Sequence, residues 1–178
     1  KLFSEKQIEY ACEENPGLHV AIGRYIGIYG KNQEYDLETG SVIPVFCNRA
    51  INYPSIPFSV WGTGQETRSY CYIEDCIKAT KSMVEALANK RIVGPYNVGQ
   101  QSRVSVEDIA NLVIGITGKD IEIEYDTSRE TLIWGQLCNV SKIKDEIGWE
   151  SMTPLSEGIM RVYSDVKQRL SEETFDNL

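Results

Sequence analysis

The sequence predicts an α/β fold, and three observations support this prediction. Strand-like and helix-like segments alternate along the chain, as they do in proteins that pack helices on a parallel sheet. Residues 18–25 form an apolar run of the kind that such sheets bury. Residues 72–88 have the clearest amphipathic helical period. Because no repeat, low-complexity tract or linker divides the 178 residues, we expect one folded unit.

The first half of the chain is expected to contain two helices, two strands and a long loop. Helical spacing over 1–14 ends at Asn15-Pro16-Gly17, a strong helix breaker, and the apolar strand 18–25 follows. Residues 30–40 are polar and without period, which predicts a loop. A helix is expected at 41–50, with a serine at its cap and a proline in its first turn, and a short strand at 58–61.

The second half is expected to continue the alternation. The helix over 72–88 should have an apolar side made of Ile73, Ile77, Met83, Val84 and Leu87. In chain order there follow a short strand at 95–99, a helix at 105–117, a strand at 121–125, and helices near 141–147 and 154–170. Alternating apolar and polar residues predict the strand at 121–125.

Composition and charge exclude several classes of protein. A net charge of −8 and a pI near 4.8 argue against a nucleic-acid-binding surface. No apolar run approaches the roughly 20 residues that cross a bilayer, so no membrane partner is expected. The five cysteines are irregularly spaced and accompany a single histidine, so we expect no metal site. Reduced, buried thiols are typical of a cytoplasmic protein.

The most informative segment is the turn that joins the strand at 58–61 to the helix at 72–88. Gly62 and Gly64 allow backbone conformations that other residues resist, and Glu74 and Asp75 suit a helix N-terminus. Arg68 lies between these features, so its planar guanidinium could bind a phosphate or carboxylate at two points. Taken alone, Arg68 could equally be a solvated arginine on a surface turn.

The glycines at 23, 27 and 30 do not form a dinucleotide-binding loop. Such a loop must lead directly into a helix N-terminus, whereas the residues after Gly30 are predicted to be a loop. The chain contains no other candidate. A nicotinamide cofactor, if used, would therefore place its pyrophosphate on residues outside this chain.

The chain resembles the C-terminal half of extended short-chain dehydrogenase/reductases that act on nucleotide sugars, most closely the GDP-mannose 3,5-epimerase branch. Six segments carry the resemblance in family order: 23–30, 46–50, 61–76, 95–99, 104–108 and 147–149. The resemblance implies that residues 1–178 form the C-terminal part of a Rossmann-type parallel sheet plus a small mixed α/β substrate-binding lobe. It also implies that the N-terminal cofactor-binding half is absent from this chain.

The resemblance also implies ligands and roles. The cofactor is NAD or NADP, and the substrate is a nucleotide-diphosphate sugar. Lys1 resembles the lysine of the family's Tyr-x-x-x-Lys motif, which assists the catalytic tyrosine and holds the nicotinamide ribose. The cofactor-binding residues by this resemblance are Lys1, Tyr25 and Ile26; the substrate-binding residues are Gly27, Val42, Trp61, Arg68 and Gln136. Family members commonly form homodimers through the helix that carries the motif.

Several positions depart from the family pattern. Gly27 replaces an asparagine whose amide contacts the nucleotide sugar, and Ile26 replaces a histidine of the 3,5-epimerase branch. Ser41 stands where that branch has its lysine acid, so 3,5-epimerisation itself is not expected. Trp134 and Gln136 stand where that branch has arginines, one of which contacts the diphosphate. Either Arg68 holds the diphosphate alone, or the substrate differs.

Two hypotheses about function follow. In the first, the complete protein is a nucleotide-sugar epimerase or dehydratase that oxidises the sugar transiently at C4 with a bound nicotinamide cofactor. This chain would then supply mainly the nucleotide-sugar-binding part. In the second, motivated by the departures, the protein is a degenerate family member that binds a nucleotide or a partner chain without catalysis.

Overall fold

The computed structural model describes residues 1–128, 135 and 137–176, which fold into helices and short strands. The helices are α1 (Leu2–Glu14), α2 (Val42–Asn52), α3 (Ile73–Ala86), α4 (Val106–Thr117), α5 (Ser141–Ile147) and α6 (Leu155–Asp176). The strands are β1 (Val20–Tyr25), β2 (Ile28–Tyr29), β3 (Phe58–Trp61), β4 (Thr67–Arg68), β5 (Cys71–Tyr72), β6 (Ile92–Val98), β7 (Val104–Ser105) and β8 (Ile123–Asp126). No helix in the described part of the chain is long and apolar enough to cross a membrane.

Two parallel strand pairs, each with a helix in its connection, confirm the α/β prediction. Strand β1 pairs in parallel with β6, and α3 in their connection packs on both strands. Strand β3 pairs in parallel with β8, and α4 in their connection packs on β3. Two shorter pairs are also present, β2 with β5 in parallel and β4 with β7 antiparallel.

The core around β1 and β6 corrects the predicted apolar side of α3. The helix buries Asp75, Cys76, Ala79 and Met83. Ile77 and Val84, which were expected on the apolar side, are 58% and 55% exposed. The prediction was wrong for these two because the side of α3 that packs on the β-strands carries Cys76, Ala79 and Met83. A Cβ built on Gly23 of β1 would lie 3.0 Å from Met83 Cε, which shows how closely helix and strand approach.

A second core forms where α2, α4 and α6 pack together beside β3. It includes Phe46, Phe58, Ile109, Val113 and Ile159, and every residue of α2 from 43 to 50 is buried. The ring centroids of Phe46 and Phe58 lie 5.2 Å apart, and this contact joins α2 to β3. That this second core forms the small mixed lobe implied by the resemblance stays a prediction.

Strand boundaries differ from the predictions where the backbone is irregular. Strand β6 begins at Ile92, three residues before the predicted strand at 95–99. Its pairing with β1 shifts register between Ala21 and Gly23, and Gly94 has φ +100°. Pro95, which follows Gly94, has no backbone N–H to donate. It is tolerated here because the regular ladder of hydrogen bonds is interrupted at this irregularity. Helix α6 extends to Asp176, beyond the predicted 170.

Helix α2 begins and ends by different means. Ser41 is at the N-cap as predicted, but its side chain makes no capping hydrogen bond. At the other end, Lys119 Nζ donates to the carbonyl oxygens of Ala50, Ile51 and Tyr53 at 3.0, 2.8 and 3.1 Å. A cation at a helix C-terminus complements the partial negative charge of the last carbonyls. The ammonium group thus fixes the end of α2.

Candidate functional site

The turn after β3 is held by hydrogen bonds to two other elements. Gly62 and Gly64 have φ values of +81° and +79°, which glycine adopts without strain. Gly62 N donates to Asp126 O at 2.9 Å, and Glu107 N donates to Gly64 O at 2.9 Å. The turn is therefore fixed between β8 and the start of α4. A Cβ on Gly64 would lie 2.9 Å from Tyr125 Cε1, so a side chain at this position would meet the ring.

Arg68 follows this turn on β4 and is half-buried. Its Nη1 donates to the carbonyl oxygen of Thr67 at 2.9 Å. Burial raises the pKa of the neighbouring Tyr70 to about 12, although the positive charge of Arg68 acts to lower it. The guanidinium is thus close enough to Tyr70 to affect its ionisation. Strand β4 pairs with β7, which places Arg68 opposite Val104 and limits how far its backbone can move.

Gly27 contacts the residue that follows Arg68. It has φ +61°, and a Cβ built on it would lie 1.9 Å from the carbonyl oxygen of Ser69. Cys71 N donates to Gly27 O at 2.9 Å, which joins the same two segments. Two of the predicted substrate-binding residues, Gly27 and Arg68, are therefore brought together although 41 positions separate their numbers. The absent side chain is what allows this approach.

Val42 and Trp61, two more predicted substrate-binding residues, line one cavity of about 160 Å³. Its walls are mainly apolar and come from α2, β3, the start of α4 and residues 37 and 40. The lining residues are Leu37, Gly40, Val42, Val45, Phe46, Arg49, Ser59, Trp61 and Val106. We call this the lobe cavity. Lys1, Tyr25, Ile26, Gly27 and Arg68 do not line it.

Arg49, to which the sequence analysis assigned no role, is the charged residue in this lining. It is 8% exposed, and its Nη1 donates to the carbonyl oxygen of Ser59 on β3. A buried charge is costly unless it is hydrogen-bonded, so Arg49 marks a polar point in an otherwise apolar wall. The sequence offers one signal for it, because Arg49 is the single charged residue within 41–50.

Two of the three predicted cofactor-binding residues, Tyr25 and Ile26, lie at the carboxyl end of β1. Tyr25 is half-exposed and its hydroxyl is 3.0 Å from Thr80 Oγ1, while Ile26 N donates to Val98 O at 2.9 Å. Lys1 precedes α1 and is exposed. Glu5, one turn later, accepts two hydrogen bonds from Arg24 at 2.7 and 2.6 Å. This bidentate pair places the first turn of α1 beside the end of β1.

Two other kinds of site find no support among the described residues. No group of three His, Cys, Asp or Glu side chains there could hold a metal ion. All five cysteines are buried and unbridged. Burial raises the pKa of Cys47 and of Cys71 to about 12, so neither is a thiolate nucleophile at neutral pH. Gln136, predicted to bind substrate, and Trp134 lie outside the described residues.

Comparison with protein families gives a match over more than half of the chain. The family described as the NAD dependent epimerase/dehydratase family matches residues 1–99. Among curated proteins, UDP-glucuronic acid decarboxylase 1 and GDP-mannose 3,5-epimerase of Arabidopsis thaliana are each 27% identical over 157 residues. These alignments cover 88% of this chain but 34% and 40% of the two relatives. The chain thus spans well under half the length of either relative.

Solved structures match nearly the whole described fold. UDP-glucose 4-epimerase of Thermotoga maritima, solved with UDP-glucose, superimposes with a TM-score of 0.80 at 25% identity. UDP-glucuronic acid 4-epimerase of Bacillus cereus, solved with UDP-glucuronic acid and NAD, gives a TM-score of 0.78 at 25% identity. The matches cover 96% and 95% of this chain, and 52% and 51% of those chains. This chain therefore has the Rossmann-type fold of these epimerases, and it corresponds to about half of each solved chain.

Proposed function

Because this chain belongs to the NAD dependent epimerase/dehydratase family, we propose that the complete protein is a nucleotide-sugar epimerase or dehydratase. It would act through transient oxidation of the sugar at C4 by a bound nicotinamide cofactor. The 178 residues of this chain would supply mainly the part that binds the nucleotide sugar. The match over about half of each solved relative supports this division.

One observation carries the proposal: the lobe cavity and Arg68 lie on either side of the turn that contains Gly62 and Gly64. A nucleoside diphosphate sugar has a flat base and two phosphates, which need different surroundings. The lobe cavity, with Val42 and Trp61 in its walls, suits the base. Arg68, beyond Gly62 and Gly64, suits the diphosphate because a guanidinium pairs with phosphate oxygens at two points.

The residues of this chain fit the nicotinamide end of an NAD molecule but not its pyrophosphate. Ligands of open α/β sheets bind beyond the carboxyl ends of the strands, where Tyr25 and Ile26 lie. The glycines at 23, 27 and 30 do not lead directly into a helix N-terminus, since residues 31–41 separate Gly30 from α2. NAD, when bound, supplies the hydride acceptor. Lys1 would hold the nicotinamide ribose and keep a positive charge beside the catalytic tyrosine.

We also propose a homodimer and a cytoplasmic location. Helix α1 exposes 66% of Leu2 and 74% of Phe3, an apolar surface that a second copy would cover. The five unbridged cysteines suit a reducing compartment.

Calorimetric titration tests the binding part of the proposal. UDP-glucose, UDP-glucuronic acid and GDP-mannose are titrated into the protein, with glucose as the control that lacks a nucleotide. We expect at least one nucleotide sugar to bind and glucose not to bind. Failure of all three nucleotide sugars to bind would contradict the proposal.

A turnover assay separates the two hypotheses about function. The complete protein is incubated with NAD and the sugar that binds, and the products are separated by chromatography. An epimer or a 4-keto product is expected. Binding without any product would instead identify a non-catalytic family member. These 178 residues alone are expected to bind without turnover, because they contain neither the glycine loop nor the catalytic tyrosine.

A further inference from the structure

Residues 30–40 form one wall of the lobe cavity without any regular secondary structure. We call this segment the wall loop. It contributes Leu37 and Gly40 to the cavity lining. It also contacts α6, which is far along the chain from the cavity residues. What holds the wall loop in place therefore determines the shape of the cavity.

Three charged residues of α6 contact the wall loop. Asp165, Arg169 and Glu173 are four positions apart and so lie along one side of the helix. Arg169 Nη1 donates to the carbonyl oxygen of Gln33 at 2.7 Å and lies 3.7 Å from Asp165 Oδ2. Asp165 Oδ2 accepts the backbone N–H of Asn32 at 2.9 Å. We call these three residues the α6 clamp.

Tyr35 is the side chain through which the α6 clamp holds the middle of the loop. It is 6% exposed, and the guanidinium carbon of Arg169 lies 4.4 Å from the centre of its ring. Its hydroxyl donates to Glu173, and its carbonyl oxygen accepts a hydrogen bond from Asn48 of α2 at 3.0 Å. Tyr35 is thus fixed between α6 and α2, two residues before Leu37 enters the cavity wall.

The start of the wall loop needs this support. Asn32 has φ +61°, a left-handed conformation that non-glycine residues adopt at some cost. Its N–H is the group that Asp165 accepts, so the α6 clamp stabilises the loop where the backbone is least favourable. Gly30 N, just before it, donates to Gln33 Oε1 at 3.1 Å.

We propose that Asp165, Arg169 and Glu173 are positioning residues, which fix the wall loop and thereby set the affinity of the lobe cavity for the base of a nucleotide sugar. This inference rests on the proposed function. None of the three lines the cavity. Their effect on binding would therefore act through Tyr35 and Leu37.

Substitution of Arg169 tests the proposal by two measurements. Arg169→Gln removes the contacts to Gln33 and Tyr35, and Lys167→Gln is the matched control, because it removes an exposed cation from the same helix. Hydrogen exchange is followed for peptides covering 30–40, and UDP-glucose affinity by calorimetry. In Arg169→Gln we expect faster exchange in the wall loop and roughly fivefold weaker binding. Arg169→Lys should recover part of both, since it keeps the charge but not the planar fork.

The outcomes are distinguishable. Unchanged exchange in Arg169→Gln would overturn the α6 clamp, and faster exchange with unchanged affinity would overturn its effect on binding. Equal losses in Lys167→Gln would attribute the change to charge alone and also overturn the proposal. If the wild-type protein binds no nucleotide sugar, the proposed function fails, and the exchange comparison still decides whether the α6 clamp orders the loop.

Discussion

The carboxylate of Asp75 accepts the backbone N–H of Thr153 at 2.7 Å, although the two residues are 78 positions apart. The same oxygen accepts the N–H of Met152 at 2.9 Å and the hydroxyl of Ser151 at 3.2 Å. The Trp149 indole donates to the Asp75 carbonyl oxygen at 3.0 Å. Asp75, 1% exposed, thus joins the first turn of α3 to the segment that leads into α6.

Asp75→Asn should lower the free energy of unfolding by about 2 kcal/mol at pH 7, because charge-assisted hydrogen bonds from two backbone N–H groups are weakened. Urea denaturation measures this change. Asp145→Asn is the control, since Asp145 is exposed on α5. Equal losses in the two variants would contradict a specific role for Asp75.

The contribution of Asp75 should depend on pH with a definite sign. Burial raises the pKa of this carboxyl group, but hydrogen bonds from Thr153, Lys78 and Met152 outweigh burial and hold the pKa below its ordinary value. A lowered pKa in the folded state stabilises the protein above the unfolded pKa of about 3.9, and this stabilisation is lost as pH falls through the folded pKa. The stability difference between wild type and Asp75→Asn should therefore shrink below about pH 4.

Arg68→Ala should weaken nucleotide-sugar binding by about 2 kcal/mol or more, as expected when a charged partner is left unpaired. Arg68→Lys should recover only part of the loss, because an ammonium group cannot reproduce the planar fork. Calorimetric titration of the complete protein measures both.

Lys81→Ala is the control for Arg68, because it removes a cation from α3 whose side chain is 76% exposed. It should leave affinity unchanged. Wild-type affinity in both Arg68 variants would mean that the turn does not bind substrate.

Gly27→Ala should destabilise the fold by about 2 kcal/mol or more, because the residue has positive φ and its new Cβ would meet the Ser69 carbonyl. Gly115→Ala is the matched control. Gly115 lies within α4, and a Cβ there meets nothing within 4 Å. That substitution should stabilise the protein by about 0.5–1 kcal/mol. Thermal unfolding compares the two, and a neutral Gly27→Ala would contradict the close approach.

Light scattering should give twice the mass of one chain for the complete protein, and the double variant Leu2→Ser, Phe3→Ser should shift it towards the monomer. The two substitutions should have little effect on the stability of an isolated subunit, because both side chains are exposed on it. Ile77→Ser with Val84→Ser removes two apolar residues of α3 that are also more than half exposed, and it should leave the dimer intact. A monomeric wild-type protein at micromolar concentration would contradict the proposed dimer.

Local sequence patterns predicted most of the helices and strands. Strand β3 occupies the predicted 58–61, and α5 occupies the predicted 141–147, because periodicity and turn residues act within a few positions. The same patterns misassigned Ile77 and Val84, since a period shows which residues share a side of a helix but not which side packs. The structure shows that the side with Cys76, Ala79 and Met83 is the one that packs.

The sequence by itself determined the alternation of helices and strands, the turn around Gly62 and Gly64, and Arg68 as a candidate ligand. Only the tertiary structure decided that Gly27 touches Ser69, that Arg49 is buried at the lobe cavity, and that α6 holds the wall loop. These relationships join residues far apart in the chain. Hydrophobic packing brings such residues together only when the whole core forms, so no local pattern encodes them.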